Sequence, residues 1–446
     1  MKAEDKEKLR QLLAKLIEAL HLIISEGLKT GTLKPRYQPY FRWKLIEFEY
    51  SDTGIKRKSA KGQEFAKPYW RAAISSIWQI IINTPLYRDI FALISTTYEV
   101  KEAECDLYLI ELINKVGGNI LAGKNNKVSD AERYINLFLK DLEGENQEYR
   151  AEVKLAGLLL QSRSIQLDKN TRLRKPTRRD FERAVPVIFP SRGTFPLQDP
   201  TAFLHVRVYD TKGEMILENE IDRSVALLRL FRVGAVQDLQ HSLDTSSIIH
   251  MAGGTLTTGR LLRGDTYLIT KEDVKTLKKF WSNMKSVKLP TAQVDELSIA
   301  YDRYSDSLEG GSIEKHISSA VMGLEALYLK EVDELSYRLS MRVGKLLSLT
   351  EGEYKPGEVR DNLKVAYKIR NKYVHGVILK TEQIKKLVEE KFAQIMIDYL
   401  RASIVALLKR PSKDTLISQL DDSFLDSTQE EEIKKLLFMP YGKRRH

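Results

Sequence analysis

Past residue 290 the chain almost stops offering strands, and this limits its fold more than any other feature. Ile313, Ile317, Ala320, Val321 and Leu324 repeat at helical spacing, and Leu335, Leu339, Val343 and Leu346 do so again. "EGGS" at 309–312 breaks the pattern between two helices. Helices are expected at about 292–308, 312–330, 334–349 and 357–375, with a fifth from Thr381, as N-cap, to about 409. Helices joined this closely form an up-and-down bundle. Residues 290–410 therefore read as a helical domain, and 411–446 as a C-terminal tail.

Upstream the pattern is mixed. In 126–289, "RAEVKLAGLLL", "SRSIQLD" and "TRLRKP" are short strand candidates, and Thr177 with Asp180 suits the start of a short helix. "FLHVRVYDTKGEMILENEID" reads as a hairpin around Asp210–Gly213, followed by a helix over "SVALLRLFRV". Residues 1–125 are mainly helical. Leu12, Leu16, Ala19, Leu20 and Ile23 mark a first helix, "YFRWKLIEFEY" (40–50) a strand, and helical signals resume from 62. The expected fold class is multidomain α+β: a mainly helical N-terminal region, a mixed α+β domain and an all-α C-terminal bundle.

Composition excludes several classes. A single cysteine, Cys105, rules out a disulfide framework and a cysteine-based zinc cluster and fits a reducing compartment. No signal peptide and no long apolar run is visible, so a cytoplasmic protein without membrane contact is expected. The net charge of +11 falls within residues 1–289. Its sharpest cluster, 162–183, carries eight basic residues against three acidic. Arg172, Arg174, Lys175, Arg178, Arg179 and Arg183 are its candidates for contacting RNA phosphates; a solvated basic surface is the alternative.

Familiar catalytic patterns are missing. There is neither His-Glu-x-x-His nor Gly-x-Ser-x-Gly. "GTLTTGR" (254–260) puts Arg260 where a phosphate loop needs lysine. Glu152-x-Lys154 lacks a convincing acidic partner, and the other histidines show no metal-site spacing.

"AYKIRNKYVHGVILK" (366–380) is different. On a helix whose apolar stripe is Val359, Leu363, Ala366, Ile369 and Tyr373, Arg370 falls inside the stripe, while His375 lies about 140° further round. Asn371 and His375 are four apart, on one face. A charge directed inward must find a partner or border a groove. One reading pairs Arg370 internally with Glu325 and leaves His375 to cap the helix. The other brings a second copy of the helix across a two-fold axis, gathering two Arg, two Asn and two His in one cleft. Such a cleft suits RNA without metal or cofactor: histidine moves a proton near neutral pH, and arginine holds the phosphate.

Together "VMGLEALYL" (321–329), "ELSYRLSMRVGKLL" (334–347) and "YKIRNKYVHG" (367–376) resemble the HEPN superfamily, specifically the Apea-like HEPN group. More loosely, "KLAGLLL" through "TRLRKPT" resembles the α+β segment that precedes HEPN in such proteins; residues 1–125 resemble nothing usable. The resemblance implies a helical HEPN homodimer with its Arg-x4-His motif at the interface. Many members are metal-independent endoribonucleases of toxin–antitoxin, CRISPR-linked or anti-phage systems, which adds a regulatory or antitoxin protein as a partner. Carried over, His375 is the acid/base, Arg370 the phosphate and transition-state group, and Asn371 the orienting residue. Glu325, Arg338 and Arg342 match recurrent positions and read as supporting ion pairs. Other members bind RNA or a partner without cutting.

Overall fold

The computed structural model describes residues 3–69, 71–121, 128–182, 185–186, 199–211, 213–249, 254–255, 265–290, 295–330, 333–350, 352–409 and 412–441. Among them the protein is a mixed, mostly helical α+β structure with sixteen helices and three small sheets. No helix of the described residues is long and apolar enough to cross a membrane.

The N-terminal part holds α1 (Ala3–Thr30), β1 (Arg36–Ser51), β2 (Gly54–Tyr69), α2 (Arg71–Ile81), α3 (Pro85–Tyr98), α4 (Glu102–Leu121) and α5 (Val128–Leu142). Leu9, Leu13, Leu16, Leu20 and Ile24 form the buried stripe of α1. The face is rotated from the expected one, leaving Leu12, Ala19 and Ile23 half-buried. The Thr84 hydroxyl accepts the Tyr87 N–H at 3.2 Å, and Pro85 presets the first turn, which starts α3. Phe138 and Leu139 of α5 belong to the same core, as does Cys105, whose thiol burial pushes up to about 12. At that value the cysteine is a packing residue.

β1 and β2 form one long antiparallel hairpin, from Arg36 opposite Tyr69 to Ser51 opposite Gly54. The helix expected from 62 therefore begins only at Arg71. Basic side chains in "GIKRKSAKGQEFAKPY" hide the strand alternation, and Pro68 disfavours a helix through its predecessor. Pairing with β1, not local propensity, makes this segment a strand.

The middle part contains β3 (Gln147–Ala156), β4 (Leu158–Leu160), β5 (Ser164–Gln166), β6 (Thr171–Arg174), α6 (Arg178–Glu182), β7 (Val185–Pro186) and β8 (Ala202–Asp210). It continues through α7 (Gly213–Phe231), β9 (Gln237–Thr245), β10 (Gly254–Thr255), β11 (Tyr267–Ile269) and α8 (Asp273–Met284). Its main sheet is antiparallel in the order β10-β9-β3-β8-β6-β5; β4 pairs with β11, and β7 extends the hairpin sheet. Gly157 separates β3 from β4 at φ +76°, where a Cβ would stand 2.1 Å from the Ala235 carbonyl oxygen. No other residue fits there.

No hairpin forms at Asp210–Gly213. β8 instead pairs with β3 and β6, and the chain turns into α7. Leu217, Ile221, Ser224 and Leu228 recur at helical spacing and are all buried, so their period of 3.6 overrides the strand reading of "EMILENEID".

The C-terminal helices are α9 (Glu296–Leu308), α10 (Ile313–Tyr328), α11 (Leu335–Ser348), α12 (Pro356–Val374), α13 (Thr381–Glu389), α14 (Phe392–Ala406), α15 (Lys413–Asp422) and α16 (Thr428–Leu436). Asp295 and Ser298 cap α9 reciprocally, and Ser312 caps α10 after the "EGGS" break. The expected fifth helix is two, divided at Lys391 in a left-handed conformation (φ 51°), and its N-cap is Lys380, not Thr381. α10 lies at the centre, against α9, α11, α12 and α14. One hydrophobic core runs from Tyr149 to Leu437, shared by the middle part and the bundle. The stretch after 411 joins it too: Leu416, Leu420 and Ile433 are fully buried, and Tyr441 stacks on Phe280 at 5.2 Å.

Candidate active site

α12 carries the candidate residues, and its burial pattern explains their positions. Val359, Leu363, Ala366, Tyr367 and Ile369 are buried against the bundle. Tyr373, placed in the stripe by periodicity, is 43 % exposed, because the last turn is not covered as the earlier turns are. Tyr367 takes its place in the buried face.

Arg370 sits at the edge of that face. Its Nη2 donates to Glu325 Oε2 of α10 at 3.1 Å, its Nη1 donates to Asn371 Oδ1 at 3.1 Å, and its guanidinium lies 5.7 Å from the Tyr367 ring. The pair is incomplete: Arg370 Nε is buried without a hydrogen-bond partner among the described residues, and the Tyr367 hydroxyl is the other neighbour of the Glu325 carboxylate. Burial raises the Glu325 carboxyl above its usual value, with Arg370 pulling the other way. Burial and the Glu325 charge likewise raise Tyr367. Tyr367 was missed from sequence, although its spacing of three before Arg370 signals a shared face.

His375 is the C-cap of α12. Its backbone N–H donates to Asn371 O at 3.1 Å; Gly376, at φ +71°, donates to Tyr373 O at 3.0 Å, and Val377 to Lys372 O at 2.8 Å. This is a complete Schellman ending, with glycine at the left-handed position. The imidazole is exposed, with no side-chain hydrogen bond among the described residues. Around it Tyr373, Val374, Val377 and Ile378 are exposed at 43–88 %. Within one chain, then, the structure joins Arg370, Asn371, Glu325 and Tyr367, and leaves His375 apart from them on an apolar rim.

The two remaining supporting residues have different roles. Arg342 is 1 % exposed; its Nε and Nη2 form a fork with the Asp421 carboxylate at 2.8 and 2.6 Å, and its Nη1 donates to Tyr328 O at 2.8 Å. It ties the end of α10 to α15. Arg338 lies 3.6 Å from Glu334, four residues before it.

The basic segment is less free than its composition implies. Arg174 is held by both Asp180 oxygens at 2.7 and 2.9 Å, by Glu152 at 3.0 Å, and stacks 3.9 Å above Phe203. Glu152 is thereby occupied, and Lys154 donates to Gln240 Oε1 at 2.8 Å. Lys175 Nζ donates to the Asp52 carbonyl, and Arg178 pairs with Glu182 at 2.6 Å. Arg172 and Arg179 are exposed. Arg183, like residues 256–260 of the glycine-spaced "GTLTTGR", lies outside the described residues. Among the described residues no group of three or more His, Cys, Asp or Glu is arranged to hold a metal.

No family model, curated protein or solved structure matches this chain.

Proposed function

We propose that the chain is a HEPN-type, metal-independent endoribonuclease of anti-phage defence or a toxin–antitoxin-like system, acting as a homodimer with its cleft between the two copies of α12. One observation carries this reading: among the described residues His375 is exposed and without a side-chain hydrogen bond at the end of α12, ringed by exposed apolar side chains, five residues on from a half-satisfied Arg370. A second copy docked on the rim would bury it and bring the two sets of Arg370, Asn371 and His375 together.

In such a cleft one neutral His375 takes the proton from a ribose 2′-OH, whose oxygen attacks the adjacent phosphorus. The leaving 5′-oxygen receives a proton from the other, protonated His375, giving a 2′,3′-cyclic phosphate and a 5′-hydroxyl. Arg370, already partly exposed, shifts one fork of its guanidinium from Glu325 to the phosphate as charge builds.

A second reading rests on the observed Arg370–Glu325 pair, which engages Arg370 within one chain and suits a non-catalytic module that binds RNA or a partner. Incubating RNA with the protein in EDTA separates the two. Cleavage abolished by Arg370→Ala and by His375→Ala supports the enzyme. RNA binding without cutting supports the module, and cleavage that requires magnesium contradicts the mechanism above.

A further inference from the structure

The far end of the β1–β2 hairpin lies over the basic β5–β6 hairpin. Lys175 reaches the Asp52 carbonyl, Phe48 packs edge-on against Phe181 at 5.5 Å, and Arg57 pairs with Asp199 at 2.9 Å. Between the two hairpins is a cleft of about 660 Å³. Tyr50 and Gly54 line one side; Arg163, Arg172, Arg174 and Lys175 line the other, and among the described residues no acidic side chain lines it.

The basic groups fall into two kinds. Arg174 and Lys175 are held inside the fold by Asp180, Glu152 and the Asp52 carbonyl. Arg163 and Arg172 are exposed and have no side-chain hydrogen bond or ion pair among the described residues. Two exposed guanidiniums lining one concave space, with Lys175 behind them, make a phosphate site, because guanidinium forks match phosphate oxygens in pairs. Tyr50, 66 % exposed at the lip, offers a flat aromatic face on which a base can stack. The volume suits one small ligand.

We propose that this cleft binds a nucleoside phosphate, with its phosphates on Arg163 and Arg172 and its base on Tyr50. The site stands independently of the ribonuclease reading. Closing on a ligand, it would clamp the hairpin of the N-terminal part to the sheet of the middle part.

Titration calorimetry of the full chain with ATP, GTP, CTP and UTP, and with inorganic triphosphate, tests this. At least one nucleotide should bind saturably and raise the thermal midpoint. The Arg163→Gln/Arg172→Gln variant, with an unchanged midpoint when unliganded, should bind it at least about tenfold more weakly. Tyr50→Ala should weaken the nucleotide about fivefold or more and leave triphosphate unaffected. The proposal is overturned if no nucleotide binds at millimolar concentration, if the double variant binds as the parent does, or if triphosphate matches the nucleotides. It is also overturned if only a short single-stranded RNA binds.

Discussion

Arg342 and Arg370 lie on neighbouring helices, both among apolar residues, yet they end in opposite situations. Arg342 is 1 % exposed and sends three of its nitrogens to Asp421 and the Tyr328 carbonyl. Arg370 keeps a quarter of its side chain exposed, takes one oxygen of Glu325 and leaves its Nε unpaired. A fully satisfied arginine is a structural tie, whereas a partly satisfied one at a surface retains capacity for a ligand. The same contrast divides the basic segment, where Arg174 is spent within the fold and Arg172 is not.

This comparison can be broken at several points. His375→Ala should lower RNA cleavage by about 10²–10⁴-fold, the usual worth of a positioned acid or base. Because the imidazole makes no side-chain hydrogen bond among the described residues of its own chain, the urea midpoint of the monomer should stay unchanged. A drop in stability alongside activity would instead make His375 a structural cap.

Asp421→Ala takes the fork away from the buried Arg342 guanidinium and should cost about 3 kcal/mol, the low end for a buried ion pair because the Asp421 carboxylate is half-exposed, read from urea unfolding. Arg370→Ala should cost no more than about 2 kcal/mol, since Arg370 makes one contact with Glu325 and keeps a quarter of its side chain exposed. Equal losses at the two sites would erase the distinction.

The pH dependence sharpens it further. Glu325 has a folded-state value raised above the ordinary 4.5, so its contribution is fully present below about that pH and is lost as pH rises through the raised value. Glu325→Gln titrates nothing there. The parent should therefore lose stability relative to the variant on going from pH 4 to neutrality, by about 1.4 kcal/mol for every tenfold by which folding tightens the carboxyl's hold on its proton. A parallel pair of pH curves would contradict the burial argument. The smallest effect belongs to Arg178→Ala. Its exposed i,i+4 pair with Glu182 should leave the urea midpoint unchanged on removal.

Much of the bundle was legible because its signals are local. Stripes such as Ile317–Val321–Leu324, the "EGGS" break and the "HG" ending of α12 each act within one or two turns. The helix division at Lys391 carries neither glycine nor proline, so nothing nearby announces it. β2 owes its state to β1, and its lysines masked the alternation. At the candidate site, the placement of Arg370 against Glu325 could be read, since helical phase directs Arg370 inward. The Arg342–Asp421 fork could not. It joins residues on helices well separated in sequence, across a stretch that reads as a tail, and only the folded chain brings them together. Charge density misled most in 162–183: composition counts basic groups, whereas Asp180, Glu152 and Glu182 decide which remain available.

The central claim is that two copies of α12 build one site, and subunit mixing tests it most directly. Parent and His375→Ala chains are unfolded together in varied ratio, refolded and assayed on RNA in EDTA. A shared cleft that uses both imidazoles predicts that heterodimers do not cut, so cleavage falls as the square of the parent fraction. Cleavage that falls in direct proportion to that fraction would contradict a site composed across the dimer.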